Sequence, residues 1–323
     1  MQRVLIWRQS GVHADPTPAH IAKAIDDGNA LIWVDIEGDS AEHASDLARQ
    51  FHISTLTLEM MRETFERATF REGDGYFYMA VHGLDFDPRT GQAKTPKLDL
   101  LFGRHFLITS HPTKLSWLDQ LWQSEKRDGT FMAKGCAFLM HAVLDSLVDS
   151  YFPELDEVDD VVDELEDSTV ADTSNTVQAR IFRVKRSLAL MRRVISPQVE
   201  FFNSLIMRTG DMIPDEARPY FSDVHDHLVR AFEILDSYRD LMSGLLDVYL
   251  TTVSNRLNVI MKQLTIYAAI FFPITFITGV FGQNFGHSPQ VEHDAGYNFW
   301  IVLGLMALIT GAHLAYFRWK RWF

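Results

Sequence analysis

The sequence predicts an α/β domain followed by long helices and a two-helix membrane hairpin near the C-terminal end. Three observations carry that prediction. Short apolar and β-branched runs alternate with helical patterns only within residues 1–134. From Gly135 onward the strand signal disappears. Two late runs carry no Asp, Glu, Lys or Arg, and each is close to the length that crosses a bilayer as a helix.

In residues 1–134 the runs ALIWVDI, YFYMAVHGLDF and LDLLFGRHFLITS read as strands, bounded by the turn signals DDGN, EGDGY and DPRTG. AEHASDLARQF and STLTLEMMRETF carry helical spacing, and the second opens on Ser-Thr, a helix-start signal. Residues 135–215 form an acidic and basic helical hairpin region. Nine of the fourteen residues after Pro153 are acidic, while Leu155, Val158, Val161, Val162 and Leu165 fall at helical spacing. That pattern is an amphipathic helix with one very acidic face. The following RIFRVKRSLALMRRVISPQ is basic, so two antiparallel helices joined by ADTSNT would neutralise one another. Helix breaks are expected near Pro197, Pro214 and Pro219.

Residues 216–281 read as one stalk helix, because no proline intervenes between Pro219 and Pro273. Its last part, LTIYAAIFFPITFITGVF at 264–281, is the first span; as a helix its 18 residues cover about 27 Å. A polar loop at 282–298 leads to the second span, FWIVLGLMALITGAHLAYF at 299–317, and a basic tail at 318–323. Arg256, Lys262, Arg318, Lys320 and Arg321 flank the spans, whereas the loop carries Glu292 and Asp294 and no Lys or Arg. The positive-inside rule then places both termini in the cytoplasm and the loop outside; a bacterial inner membrane is the expected location. Trp300, Tyr316, Trp319 and Trp322 fit an interfacial aromatic belt. MQRVLIWRQSG holds four apolar residues in a row, too few for a cleavable signal peptide.

Composition narrows the function. A net charge of −13 over 323 residues argues against nucleic acid as a partner and suits cations. One cysteine, Cys136, excludes a disulfide framework and a cysteine zinc cluster. The chain has no glycine-rich phosphate loop, serine nucleophile elbow or HExxH, so it reads as a non-enzyme with no organic cofactor. A membrane-anchored cytosolic sensor or enzyme is the rival class.

Along the stalk and first span, Asn258, Met261, Thr265, Ala268, Phe272, Thr275, Gly279 and Gly282 recur every three or four residues, with Leu264 beside them. Within the span this face is small or polar apart from Phe272, and the other faces are mostly Ile, Leu, Phe and Val. Small residues also permit close packing of membrane helices. With two spans per chain, a pore requires several copies, and Met261 and Phe272 would then be constrictions that gate by dewetting.

SNRLNVIMKQLTIYAAIFFPITFITGVFGQNFG, a second span and the tail YFRWKRWF resemble the CorA family of divalent-cation channels. WVDIEGDSAEHASDLARQFHISTLTLEMM and LFGRHFLITSHP are similar to its cytoplasmic α/β domain, and YFPELDEVDDVVDELED to its acidic helix. DVHDHLVRAFEILDSYRD is similar to the start of its stalk. The resemblance covers nearly the whole chain. It implies a homopentamer in the lipid bilayer, a central pore, a cytoplasmic funnel, and Mg²⁺, Zn²⁺ or Co²⁺ as substrate.

The family signature Gly-Met-Asn reads Gly282-Gln283-Asn284 here. Zinc-transporting, ZntB-like relatives also vary at the middle position, whereas RLNVIMKQLTI is more similar to the magnesium branch. Five Asn284 carboxamides at a pore mouth could accept hydrogen bonds from the water shell of Mg²⁺, which dehydrates reluctantly. Gln283 adds five more amides. His287 and His293 offer loop imidazoles that suit Zn²⁺, and a surface-loop role is the simpler reading of them. His225 and His227 read as capping and stalk-packing residues, since i and i+2 do not share a helix face. The resemblance further implies that cytoplasmic metal bound between protomers holds the channel closed, with an aspartate at the start of the stalk among its ligands. The matching residue is Asp223, and a strand-end position suggests Asp85 or Asp87 as its partner.

Overall fold

A computed structural model describes residues 2–38, 49–63, 68–171, 174–207, 212–282 and 295–322. The chain divides into two units, 1–246 and 247–323.

The first unit is built on a seven-stranded sheet of β1 (Gln2–Arg8), β2 (Gly11–Ala14), β3 (Leu31–Glu37), β4 (Thr69–Glu72), β5 (Tyr76–His82), β8 (Lys97–Gly103) and β9 (Phe106–His111). Its order is β2-β1-β3-β9-β8-β5-β4, antiparallel except where β3 runs parallel to β9. A separate hairpin, β6 (Asp85–Asp87) and β7 (Gln92–Lys94), completes the strands. The run VLIW lies in β1, where Val4, Leu5 and Ile6 are buried. Every residue of β8 is buried, and so are all but Glu37 in β3; their buried charged members are held in ion pairs, Lys97 with Asp99 at 2.9 Å and Asp35 with Arg3.

Helices α1 (Pro18–Asp27), α2 (Thr55–Arg62) and α3 (Ser116–Asp128) accompany the sheet. Ser54 caps α2 by accepting the Thr57 amide, as its Ser-Thr start predicts. Most of AEHASDLARQF lies outside the described residues. Under the sheet, Asp35 is buried and bound by Arg3 Nε at 2.8 Å and by the Thr109 hydroxyl, while Arg3 also reaches Asp119 at 2.6 Å.

Next come α4 (Cys136–Asp149), α5 (Tyr151–Ala171) and α6 (Asn175–Met207). Leu155, Val158, Val161, Val162 and Leu165 are all buried, as the spacing of α5 predicts. Charge neutralisation between α5 and α6 is narrower than expected. Among the described residues, Arg180 pairs with Glu164 at 2.7 Å, whereas Arg192 of α6 turns instead to Asp236 at 2.9 Å. Pro197 does not break α6. The loss of one backbone donor is outweighed by burial of Leu188, Met191, Ile195 and Phe202 along the same helix.

The last helix of this unit begins at Arg218 and continues into the second as α7 (Arg218–Phe281), 64 residues, or about 96 Å of helix. Pro219 starts it rather than ending anything, because the amide it lacks would be unpaired in the first turn. The second unit holds the remainder of α7 and α8 (Ala295–Trp319). Both helices are long and apolar enough to cross a membrane, and little of either apolar stretch is covered within the chain.

Candidate ion pathway and metal-ligand cluster

The α7 stripe survives folding as an uncovered surface. Met261 is 58%, Leu264 59% and Phe272 73% exposed, and Asn258, Thr265, Thr275, Gly279 and Gly282 are exposed as well, with Ala268 half-buried. The steps between Asn258 and Gly282 alternate three and four residues, the 3.5-residue average by which identical helices pack along a seam. Thr265 donates its hydroxyl to the Met261 carbonyl at 2.8 Å, so its remaining lone pairs face outward as acceptors. Pro273 lies within the helix immediately after Phe272 and leaves the Ala269 carbonyl without its intrahelical donor.

At the C-terminal end of α7 the Gly282 amide donates to the Thr278 carbonyl at 2.8 Å. A Cβ on Gly282 would lie 2.9 Å from that same oxygen, so glycine is what lets the turn close. Gln283, Asn284, His287 and His293 lie outside the described residues.

In the first unit, Asp223 is exposed in the opening turns of α7, with its charge felt by His141 and Asp145 of α4. Asp85 is exposed on β6. Asp87 is occupied in the β6–β7 turn, accepting from the Arg89 amide and the Thr90 hydroxyl, both at 3.0 Å. The Thr90 hydrogen bond, foremost, holds its carboxyl below the usual range. Among the described residues, no hydrogen bond or ion pair joins Asp223 to either aspartate within one chain. Asp85 and Asp149 do share the lining of one cavity of about 1880 Å³, together with Glu154.

The structure brings together three groups that sequence reasoning did not combine. Asp145 and Asp149 of α4 and His227 of α7 place one ligand atom each within 4.8 Å of one another. His227 Nδ1 lies 3.4 Å from Asp149 Oδ1. His225 diverges from it toward Asp226 at 3.5 Å, in keeping with the i, i+2 argument. His227 does pack on its neighbours, edge-on to Phe152 at 6.2 Å, and it also presents a ring nitrogen to the two carboxylates. Burial raises the Asp145 carboxyl above its ordinary value, opposed by His141 and reinforced by Asp149. Burial lowers the His141 imidazole. A carboxylate pair with an imidazole suits a divalent cation, which would relieve the repulsion between the aspartates. The visible signal was the i, i+4 spacing of Asp145 and Asp149; their meeting with His227 depends on helix packing.

Two apolar helices left uncovered within the chain, one of them the end of the 64-residue α7, fit an integral membrane protein. The chain belongs to the CorA family: the family model described as "CorA-like Mg2+ transporter protein" matches residues 28–321. It is 30% identical over 301 residues to the cobalt/magnesium transport protein CorA of Thermotoga maritima, covering 92% of this chain and 84% of that one. It is 24% identical over 311 residues to the zinc transport protein ZntB of Cronobacter sakazakii, covering 95% and 92%. In fold it is similar to the CorA magnesium transporter of Methanocaldococcus jannaschii, with a TM-score of 0.86, 22% identity and coverage of 100% and 99%.

Proposed function

We propose that five copies of this chain assemble around α7 to form a pore that conducts divalent cations, Mg²⁺, Zn²⁺ or Co²⁺, across a bacterial inner membrane with both termini cytoplasmic. The uncovered 3.5-residue stripe on α7 carries the reading, since a single chain leaves Phe272 73% exposed on a face otherwise small or polar. Family membership, with relatives named for cobalt/magnesium and for zinc, supports divalent metal as substrate.

Asn284, with Gly282 and Gln283, forms the external mouth and binds the cation through its water shell. Thr265, Thr275 and the backbone near Gly279 offer oxygen acceptors along the lumen, and Met261, Leu264 and Phe272 narrow it. Asp223 is a ligand for regulatory metal, with Asp85 or Asp87 of a neighbouring protomer as its partner. Asp145, Asp149 and His227 extend that acidic region. Metal there offsets carboxylate repulsion, and its loss lets the subunits separate.

The test is flux of Mg²⁺, Zn²⁺ and Co²⁺ into proteoliposomes that contain the purified protein alone. Asn284→Ala should nearly abolish flux while the pentamer stays intact, and Gln283→Met should shift preference toward Mg²⁺. Normal flux through a folded Asn284→Ala pentamer would remove Asn284 from the mouth. An absence of flux for all three ions would favour a membrane-anchored sensor.

A further inference from the structure

Helix α8 ends in a Schellman motif that carries an arginine where glycine is usual. The Lys320 amide donates to the Tyr316 carbonyl at 3.0 Å, Arg321 to Arg318 at 3.0 Å and Trp322 to Phe317 at 2.9 Å. Arg321 adopts φ +55°, a left-handed conformation that costs a residue with a Cβ. The accompanying apolar contact is present: the Trp322 ring stacks on Phe317 at 5.3 Å. This hook brings Trp322 within 5.9 Å of the Lys262 ammonium of α7, while Lys320 lies 5.5 Å over Trp319. Trp319 is 76% exposed, and Arg318, Lys320 and Arg321 are exposed around it. From residue 248 to 282 and from 295 to 322 there is no Asp or Glu, so all charged side chains in these segments are cationic.

We propose that this hook seats the phosphate headgroup of an anionic phospholipid in the leaflet at which α8 ends, a reading that rests on the membrane assignment. Arg318, Lys320 and Arg321 take the phosphate oxygens, for which guanidinium groups offer paired donors. Trp319 lies at the boundary between headgroup and acyl chain, where an apolar ring with one polar N–H is favoured. Among the described residues of this unit no Asp or Glu side chain neutralises these cations, so charge complementarity selects an anionic lipid over a zwitterionic one. Each cation is expected to contribute about fivefold to that preference, the equivalent of ~1 kcal/mol for a basic side chain at an anionic surface.

The test uses the full-length protein in detergent, titrated with phosphatidylglycerol, phosphatidylcholine or inorganic phosphate, reading retained lipid and thermal midpoint. Phosphatidylglycerol should be retained preferentially and should raise the midpoint. Arg318→Gln/Lys320→Gln/Arg321→Gln should reduce the preference at least tenfold. Arg321→Gly separates charge from fold: glycine favours the left-handed cap, so the lipid-free midpoint should hold or rise while phosphatidylglycerol retention falls about fivefold. Unchanged preference in both variants, or inorganic phosphate acting as strongly as the lipid, would overturn the proposal. Flotation with pure phosphatidylcholine vesicles reads the membrane assignment separately. Protein that floats yet shows no preference for the anionic lipid overturns the seat alone, and protein that fails to float overturns both.

Discussion

His227 Nδ1 stands 3.4 Å from Asp149 Oδ1, joining the start of the long helix α7 to the end of α4. Asp145 lies one helical turn before Asp149, and the three ligand atoms fall within 4.8 Å. A borderline divalent ion such as Co²⁺ or Zn²⁺, suited to imidazole and carboxylate donors, should therefore raise the thermal midpoint of the full chain, and a chelator should reverse the rise. Asp149→Asn and His227→Ala should each weaken that response by about tenfold, the scale of one lost ligand interaction near 1.4 kcal/mol. A metal response identical in both variants would place the binding elsewhere.

Phe272 is the bulky side chain on the membrane part of the stripe, directly before Pro273. Phe272→Ala should raise basal conductance in planar bilayers several-fold, because in the proposed pentamer five smaller side chains would widen and wet the constriction. Equal or lower open probability would exclude a gating role.

His82 is buried, and its imidazole is pushed down to about 4, first by burial and then by the nearby Lys97 charge. The neutral ring is thus favoured in the folded chain, while the unfolded chain takes up a proton near pH 6.5. Stability should be full above that pH and fall as the pH drops toward 4, by about 3 kcal/mol at most. His82→Leu should flatten this part of the profile, measured by denaturant midpoints from pH 7 to 4. An equally steep profile in the variant would assign the acid sensitivity to other groups.

Asp35 is 1% exposed and takes Arg3 Nε at 2.8 Å, with His111 Nε2 at 3.4 Å. Asp35→Ala leaves the Arg3 guanidinium with one counter-charge fewer and the His111 ring without this acceptor in a largely buried site. The expected cost is about 3 kcal/mol, seen as a thermal midpoint lower by several degrees. A midpoint within one degree of the parent would mean that Asp119 alone satisfies Arg3.

Local chemistry made much of this architecture legible. A buried strand such as Leu31–Glu37 announces itself as a largely apolar run, and the Ser54 cap announces α2. The absence of charge from Leu264 to Phe281 marks the first candidate span, a length and composition that suit a bilayer and that the rest of the chain leaves almost uncovered. Pro197 was misleading, since one missing backbone donor is a small loss inside a helix held by a buried apolar face. The opposite charges of α5 and α6 also overstated their pairing: sequence counts charges but does not set their direction, and Arg192 turns to Asp236.

By itself the sequence determined the α/β start, the helical remainder, the two spans and the polar stripe from Asn258 to Gly282, because each rests on periodicity or on transfer from water within one segment. Only the tertiary structure decided that Asp145, Asp149 and His227 converge, that Asp87 is spent on its own turn, and that Trp322 folds back beside Lys262. Those outcomes depend on the packing of helices distant in sequence and on how each loop closes its hydrogen bonds, and neither quantity is written in the order of residues within a single segment.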